Sequence, residues 1–200
     1  MAEQLGFLLD SRRCVQCHSC QVACKAAHGI EFGVSWRKIL DYWEGDFPHV
    51  ANRAISLSCL HCEHPACVEI CPAAAISKRP EDGLVVVDRN ECVGCRNCYE
   101  SCPYGAPQFG ADGKMQKCDL CIDRRAAGKQ PACVATCPGD ALAFGEMGEL
   151  AKLAAKKHAH RLKGKTDPAA FVALAVANGK PADDIGPFLR ALKPQAKKLS

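Results

Sequence analysis

The polar and apolar positions predict a short strand at the start of the chain and a hairpin in its middle. Apolar runs at Leu5 to Leu9 and at Leu84 to Val87 each end at an Asp and have the length of a buried strand. The second run follows Ala75-Ile76-Ser77 after a loop that contains Asp82-Gly83. An Asp-Gly pair between two apolar runs is typical of a β-hairpin.

Residues 146–200 have a different pattern, rich in Ala, Lys and Leu, and are predicted to form a basic helical extension. One helix is expected from about Glu149. A second is predicted to open at Asp167-Pro168, an N-cap followed by proline at the first helical position, and to close at Asn178-Gly179. A short third helix is expected around Ile185 to Leu192.

The net positive charge of the sequence comes from this extension. It holds eleven Lys and Arg against five Asp and Glu, a net charge of +6, whereas the whole chain carries +4. Basic helices suit anionic lipid headgroups or an acidic partner, and they are also common as solvated faces. Both interpretations are open at this level.

Cysteine changes the picture most, because sixteen of the 200 residues are Cys and only 6% are aromatic. The start of the chain has no basic region before its short apolar run, and no run approaches the roughly 18 to 20 apolar residues of a membrane span. We therefore expect no signal peptide and no transmembrane segment in this sequence. So many cysteines without a secretory signal indicate metal binding ahead of disulfides.

The cysteines fall into four groups of four, and none is left over. Groups two, three and four are each followed by proline, which ends the local helical turn. In order, the groups are Cys14-x2-Cys17-x2-Cys20-x3-Cys24, Cys59-x2-Cys62-x4-Cys67-x3-Cys71, Cys92-x2-Cys95-x2-Cys98-x3-Cys102 and Cys118-x2-Cys121-x11-Cys133-x3-Cys137.

The spacing is that of bacterial ferredoxins, in which three close thiolates hold one cubane and the fourth reaches the other cluster of a pair. It predicts four [4Fe–4S] clusters. Zinc also binds pairs of C-x2-C, but zinc gives no reason for the x2-x2-x3-Pro phrase. A disulfide scaffold is disfavoured because C-x2-C cysteines rarely bridge outside redox motifs.

Repeated flanking segments indicate which groups share a module. Groups one and three each follow an apolar strand and an Asp. Groups two and four each end in a cysteine that begins the phrase Cys-Pro-x-x-Ala. Residues 59–114 therefore read as one contiguous ferredoxin-like module. Residues 1–30 and 115–145 read as a second, circularly permuted module, in which Gly6 to Asp10 should pair antiparallel with Ala141 to Phe144. The predicted fold is α+β, with two ferredoxin-like modules and the helical extension.

The crossing of each fourth cysteine predicts four ligand sets. The alternative, in which group one pairs with two and three with four, leaves the matching strand segments unexplained. The predicted sets are set one (Cys14, Cys17, Cys20 and Cys137), set two (Cys59, Cys62, Cys67 and Cys102), set three (Cys92, Cys95, Cys98 and Cys71) and set four (Cys118, Cys121, Cys133 and Cys24).

Residues 31–58 form a connection between the modules that contains both tryptophans, Trp36 and Trp43. Exposed aromatics beside Arg37 and Lys38 would suit a partner interface, where Trp, Tyr and Arg concentrate binding energy. Equally, these rings could cover the clusters and exclude water. The sequence does not separate the two interpretations.

Long phrases around the cysteines carry a family resemblance over about residues 6–145. They include Ser58-Cys59-x-His61-Cys62-x2-Pro65-Ala66-Cys67, Cys102-Pro103-Tyr104-Gly105-Ala106-Pro107-Gln108 and Lys117-Cys118-Asp119-x-Cys121-x-Asp123-Arg124. With these phrases the chain resembles the four-cluster iron–sulfur subunits of complex iron–sulfur molybdoenzymes, above all those of the dimethyl sulfoxide reductase type.

The resemblance implies an electron-transfer subunit that catalyses no reaction by itself. It implies a large molybdopterin- or tungstopterin-binding catalytic partner near set one and a quinone-reactive membrane anchor near set two, with no nucleic acid involved. Membrane association would then come through partners, on the periplasmic face by co-export or on the cytoplasmic face. There are two alternatives. The protein is a stand-alone polyferredoxin, or it is the electron-transfer subunit of a tungsten aldehyde oxidoreductase or a formate dehydrogenase.

Overall fold

The computed structural model describes residues 3–44 and 47–174, which form an α+β fold of short elements. The strands are β1 (Leu5–Asp10), β2 (Lys38–Glu44), β3 (Ala51–Leu57), β4 (Ile76–Lys78), β5 (Val85–Val87), β6 (Gln108–Phe109), β7 (Met115–Gln116), β8 (Leu142–Glu146), β9 (His160–Arg161) and β10 (Ala170–Ala173). The helices are α1 (Ser19–His28), α2 (Ala66–Glu69), α3 (Asn97–Ser101), α4 (Ile122–Ala126), α5 (Ala132–Ala135) and α6 (Met147–Lys156).

Strand β1 lies inside a four-stranded sheet of order β8-β1-β10-β9. It pairs antiparallel with β8, with Leu9 opposite Leu142, so the predicted pairing of Gly6 to Asp10 with Ala141 to Phe144 is confirmed. Phe7, Leu8 and Leu9 are at most 1% exposed. A strand with covered faces on both sides reads as a continuous apolar run, as this segment does.

Three two-stranded hairpins complete the sheets of the described residues. The predicted hairpin between β4 and β5 is confirmed, with Ile76 opposite Val87. Gly83 in its loop has φ of 68°, a conformation that glycine adopts without steric cost. The connection between the modules is also a hairpin, β2–β3, and Ile55 and Leu57 of β3 bury their side chains in the core.

The two tryptophans of the connection differ in their exposure. Trp36 is partly buried and donates its Nε1–H to Gln116 Oε1 over 3.0 Å, while Trp43 is 72% exposed. Arg37, however, is only 1% exposed, so its assignment to an exposed partner surface is wrong. Its charge faces the protein interior.

The extension is helical only in part. The helix expected from about Glu149 is confirmed as α6, but the helix expected to open at Asp167-Pro168 is wrong over residues 170–173. Those residues form β10, which pairs parallel with β1 and is buried throughout. An N-cap contributes about 1 kcal/mol, which pairing and burial outweigh here. The closure at Asn178-Gly179 and the third helix lie outside the described residues.

Over the ranges 3–44 and 47–174, no helix combines the length and the apolar character needed to cross a bilayer.

Candidate metal centres

All four cysteine groups begin with the same backbone turn. The residue two positions after the first cysteine has positive φ in each group: 57° at Gln16, 43° at His61, 71° at Gly94 and 59° at Leu120. Only glycine adopts this conformation freely, so three of the four turns are held against a steric cost. In group four the turn directs the Leu120 N–H to Cys118 Sγ over 3.4 Å. The loops are therefore built to point N–H groups at sulfur.

Sets one and three each surround a cavity. In each cavity three cysteines of one group meet the last cysteine of another group. The first cavity is lined by Cys14, Cys17, Cys20 and Cys137, with Val15, Ser56 and Leu142 among its other walls. The second is lined by Cys71, Cys92, Cys95 and Cys98, with Val93, Phe109 and Met115.

The sulfurs of set two lie close to one another in a largely buried part of the protein. Burial raises the pKa of Cys62 to about 12, and the nearby sulfurs of Cys59 and Cys102 act in the same direction. The same two neighbours, after burial, raise the pKa of Cys67 to about 12. These mutual effects indicate that the sulfurs of Cys59, Cys62, Cys67 and Cys102 lie near one another.

Set four is the most enclosed of the four sets, because all its cysteines are buried. Burial raises the pKa of Cys24 to about 12, with Cys133 and Cys121 contributing and Arg37 opposing the shift. Burial also raises the pKa of Cys121. Thiols with raised pKa values in a dry site are inert unless a metal ionises them.

Exposure and proximity order the sets along the molecule. Cys17 of set one and Cys95 of set three are exposed, whereas the other cysteines are partly or fully buried. Cys20 has Cys133 of set four among its charged neighbours, and Cys118 of set four has Cys59 of set two. Set four therefore has sulfurs near both set one and set two, while sets one and three contain the two exposed cysteines.

Several sulfurs have side-chain contacts that the spacing of cysteines did not predict. His28 Nε2 lies 3.1 Å from Cys121 Sγ, and Ser56 Oγ lies 3.3 Å from Cys20 Sγ. Thr166 hydrogen bonds to Cys62, which lowers the pKa of that thiol against the effect of burial. No local motif marks Ser56 or Thr166, because tertiary packing alone brings them to the sulfurs.

His28, Asp119 and Cys121 also place their ligand atoms within 4.8 Å of one another. Because Cys121 belongs to set four, this trio is part of that set's surroundings. His28 further packs on Trp36, with ring centroids 4.7 Å apart. His28, Asp119 and Trp36 therefore surround the Cys121 side of set four.

The donor chemistry fits iron–sulfur clusters. All sixteen cysteines are free thiols. Backbone N–H groups also reach the sulfurs, at 3.3 Å from Met115 to Cys92 and 3.2 Å from Ala141 to Cys137. A tetrahedral zinc site closes its thiolates directly on the ion, whereas sets one and three each enclose a cavity. Hydrogen bonds to sulfur are a recognised means of tuning cluster potential.

Comparison with known proteins agrees with this chemistry. Residues 50–147 match the model of the 4Fe-4S dicluster domain, so the protein carries [4Fe–4S] clusters. It is 48% identical over 161 residues to the B subunit of the anaerobic dimethyl sulfoxide reductase of Escherichia coli K12, covering 76% of this sequence and 78% of the relative. It is 42% identical over 205 residues to YnfG, a probable anaerobic dimethyl sulfoxide reductase subunit of the same strain, covering 94% and 97%.

A third relative is named for its role. The thiosulfate reductase electron transfer subunit PhsB of Salmonella typhi is 38% identical over 157 residues, which are 74% of this sequence and 79% of the relative. The first two relatives are named as chains of a reductase and the third as an electron transfer subunit, and the present protein is likewise a subunit that is not an enzyme by itself. It belongs to the family of iron–sulfur B subunits of dimethyl sulfoxide reductase-type enzymes.

Proposed function

We propose that the protein carries four [4Fe–4S] clusters, one on each of sets one to four, and relays electrons through them. The observation that carries the proposal is that cysteines from different groups meet in space: those of sets one and three line two cavities, and sulfurs within sets two and four lie close enough to raise one another's pKa. When bound, each cluster supplies a one-electron carrier. The protein's part is to ligate it, exclude water and direct N–H and O–H donors at its sulfurs.

The sets belong to two ferredoxin-like modules, one of them circularly permuted. Residues 59–114 form the contiguous module, and residues 1–30 with 115–145 form the permuted one. Two observations support the permutation: β1 pairs with β8, and helix α1 packs on α5 while α2 packs on α3. The connection, residues 31–58, and the extension from residue 146 then cover the modules.

Electrons pass along the sets in the order one, four, two, three. The proximity of Cys20 to Cys133 and of Cys118 to Cys59 supports the first two steps. The exposure of Cys95 supports set three as the far end. This order replaces the expectation that set two lies nearest the membrane anchor, because set two is flanked by set four and by its module partner.

The partners are a large pterin-binding catalytic subunit beside set one and a quinone-reactive membrane anchor beside set three. The names of the relatives support a reductase complex with other subunits. Membrane association would then come through these partners. The identity of the pterin metal follows from the catalytic subunit and not from this protein.

Electron exchange with the catalytic subunit tests the proposal. The full iron-loaded protein is reduced anaerobically and mixed with the pterin-containing subunit that copurifies with it, and reoxidation is followed on adding its substrate. We expect complete reoxidation coupled to substrate reduction, and none with a subunit that lacks the pterin. A protein that purifies alone as a monomer and exchanges no electrons with any large subunit would instead favour a free polyferredoxin.

A further inference from the structure

Arg37 is a fully buried cation next to the proposed clusters. It immediately precedes β2 and is 1% exposed. Its guanidinium lies 4.5 Å above the ring of Phe7. Nη1 donates to Ser56 O over 3.2 Å and to Ser56 Oγ over 3.1 Å, and Nη2 donates to Ser58 Oγ over 2.8 Å. An arginine cannot discharge itself by losing a proton in a protein, so this charge is permanent.

The countercharges of Arg37 are cysteine sulfurs. Burial opposes its charge, but Cys133, Cys118, Cys20 and Cys24 outweigh that effect and raise its pKa. Within the described ranges no carboxylate forms an ion pair with it, and its Nε–H has no hydrogen-bond acceptor. A buried charge is strongly unfavourable unless it is compensated. The compensation here comes from sets one and four.

Arg37 reaches set one by a second route, through a hydroxyl group. Ser56 Oγ accepts from Arg37 Nη1, which leaves its own proton free to point at Cys20 Sγ, 3.3 Å away. A hydroxyl that accepts from a cation is polarised and becomes a better donor. Ser56 is itself 4% exposed, so water does not compete for these bonds.

We propose that Arg37 raises the reduction potentials of two of the four clusters, those on sets one and four. The inference rests on the proposed function and deepens it. One-electron reduction adds negative charge, which a fixed buried cation stabilises, and iron–sulfur potentials respond to charge and to hydrogen bonds at sulfur. The residue thereby favours electrons on the half of the relay nearest the proposed catalytic partner.

The test counts which reduction midpoints move. The full iron-loaded protein is titrated anaerobically while the paramagnetic signals of the reduced clusters are recorded. Arg37→Met should lower two of four midpoints, each by about tenfold in the reduction equilibrium constant, which is about 59 mV for one electron. Ser56→Ala should lower one of the same two midpoints by less. Lys152→Met removes an equal charge from an exposed position and should move none.

A fourth variant, Arg37→Lys, keeps the test decisive if Arg37→Met fails to bind its clusters. Arg37→Lys retains the charge but removes the guanidinium N–H groups that donate to Ser56. Only the midpoint that responds to Ser56→Ala should therefore fall. Loaded variants with four unmoved midpoints, or with all four lowered together, would overturn the role of Arg37. A wild-type protein with fewer than four reducible signals would overturn the proposed function instead.

Discussion

Helix α6 is predicted to be an integral part of the fold, although its sequence resembles a solvated basic helix. Leu150 on α6 is 3% exposed and packs against Leu8 of β1 and Phe171 of β10. Replacing a leucine in such a site by alanine costs about 2–5 kcal/mol, because neighbours on rigid elements do not close the cavity. For Leu150→Ala we expect about 3 kcal/mol, which lowers the unfolding temperature by roughly 6–12 °C in a protein of this size.

Lys152 on the same helix provides the matched control. Its side chain is 72% exposed and pairs with Glu149 over 2.6 Å. Exposed pairs of this kind add little to stability because solvent screens them, so Lys152→Ala should shift the midpoint by less than about 2 °C. Unfolding is followed anaerobically by far-ultraviolet circular dichroism of the loaded protein. Equal midpoints for the two variants would refute the packing of α6 on the sheet.

Three further predictions concern the cysteine sets. Cys95→Ser at the exposed end should perturb one cluster and leave most of the iron bound. Cys118→Ser in the interior should lower the iron content and the protein yield more severely. Equal iron loss in the two variants, measured by elemental analysis, contradicts the proposed order of the sets. Thr166→Val removes the hydroxyl that bonds to Cys62, so one reduction midpoint should fall and Thr166→Ser should restore it; an unmoved midpoint counts against the contact. Burial raises the pKa of Cys62 and Cys67 to about 12, and iron binds only the ionised thiolate. Because protons compete with iron for these sulfurs, iron release to a chelator should become faster as the pH is lowered from about 9 to about 6. A release rate that does not depend on pH contradicts this prediction.

Local signals predicted the elements that the cysteine motifs themselves define. The repeated phrase of apolar strand, Asp and Cys located β1, and the match between the segments after Cys71 and Cys137 predicted the β1–β8 pairing. The Asp-Gly loop located the β4–β5 hairpin. These features depend on residues close in sequence or on an internal repeat, and so the sequence carries them.

The parts that were not predicted depend on contacts between distant segments. Asp167-Pro168 has the local chemistry of a helix start, yet the following Ala170–Ala173 gain more by pairing with β1 and becoming buried. Arg37 stands beside polar and aromatic residues, which suggested exposure, and only the fold encloses it between Phe7 and two serines. Thr166 reaches Cys62 because the extension runs beside the segment that follows Cys62 before it enters β10, where the His64 N–H donates to Thr166 O over 3.1 Å.

The central claim is that sixteen thiolates hold four separate one-electron carriers, and a coulometric reductive titration of the full protein measures this directly. With parallel iron analysis, we predict about four electrons taken up and about sixteen iron atoms bound per molecule. Uptake of two electrons or fewer by fully loaded protein, or a colourless protein that binds zinc in place of iron, would contradict the account.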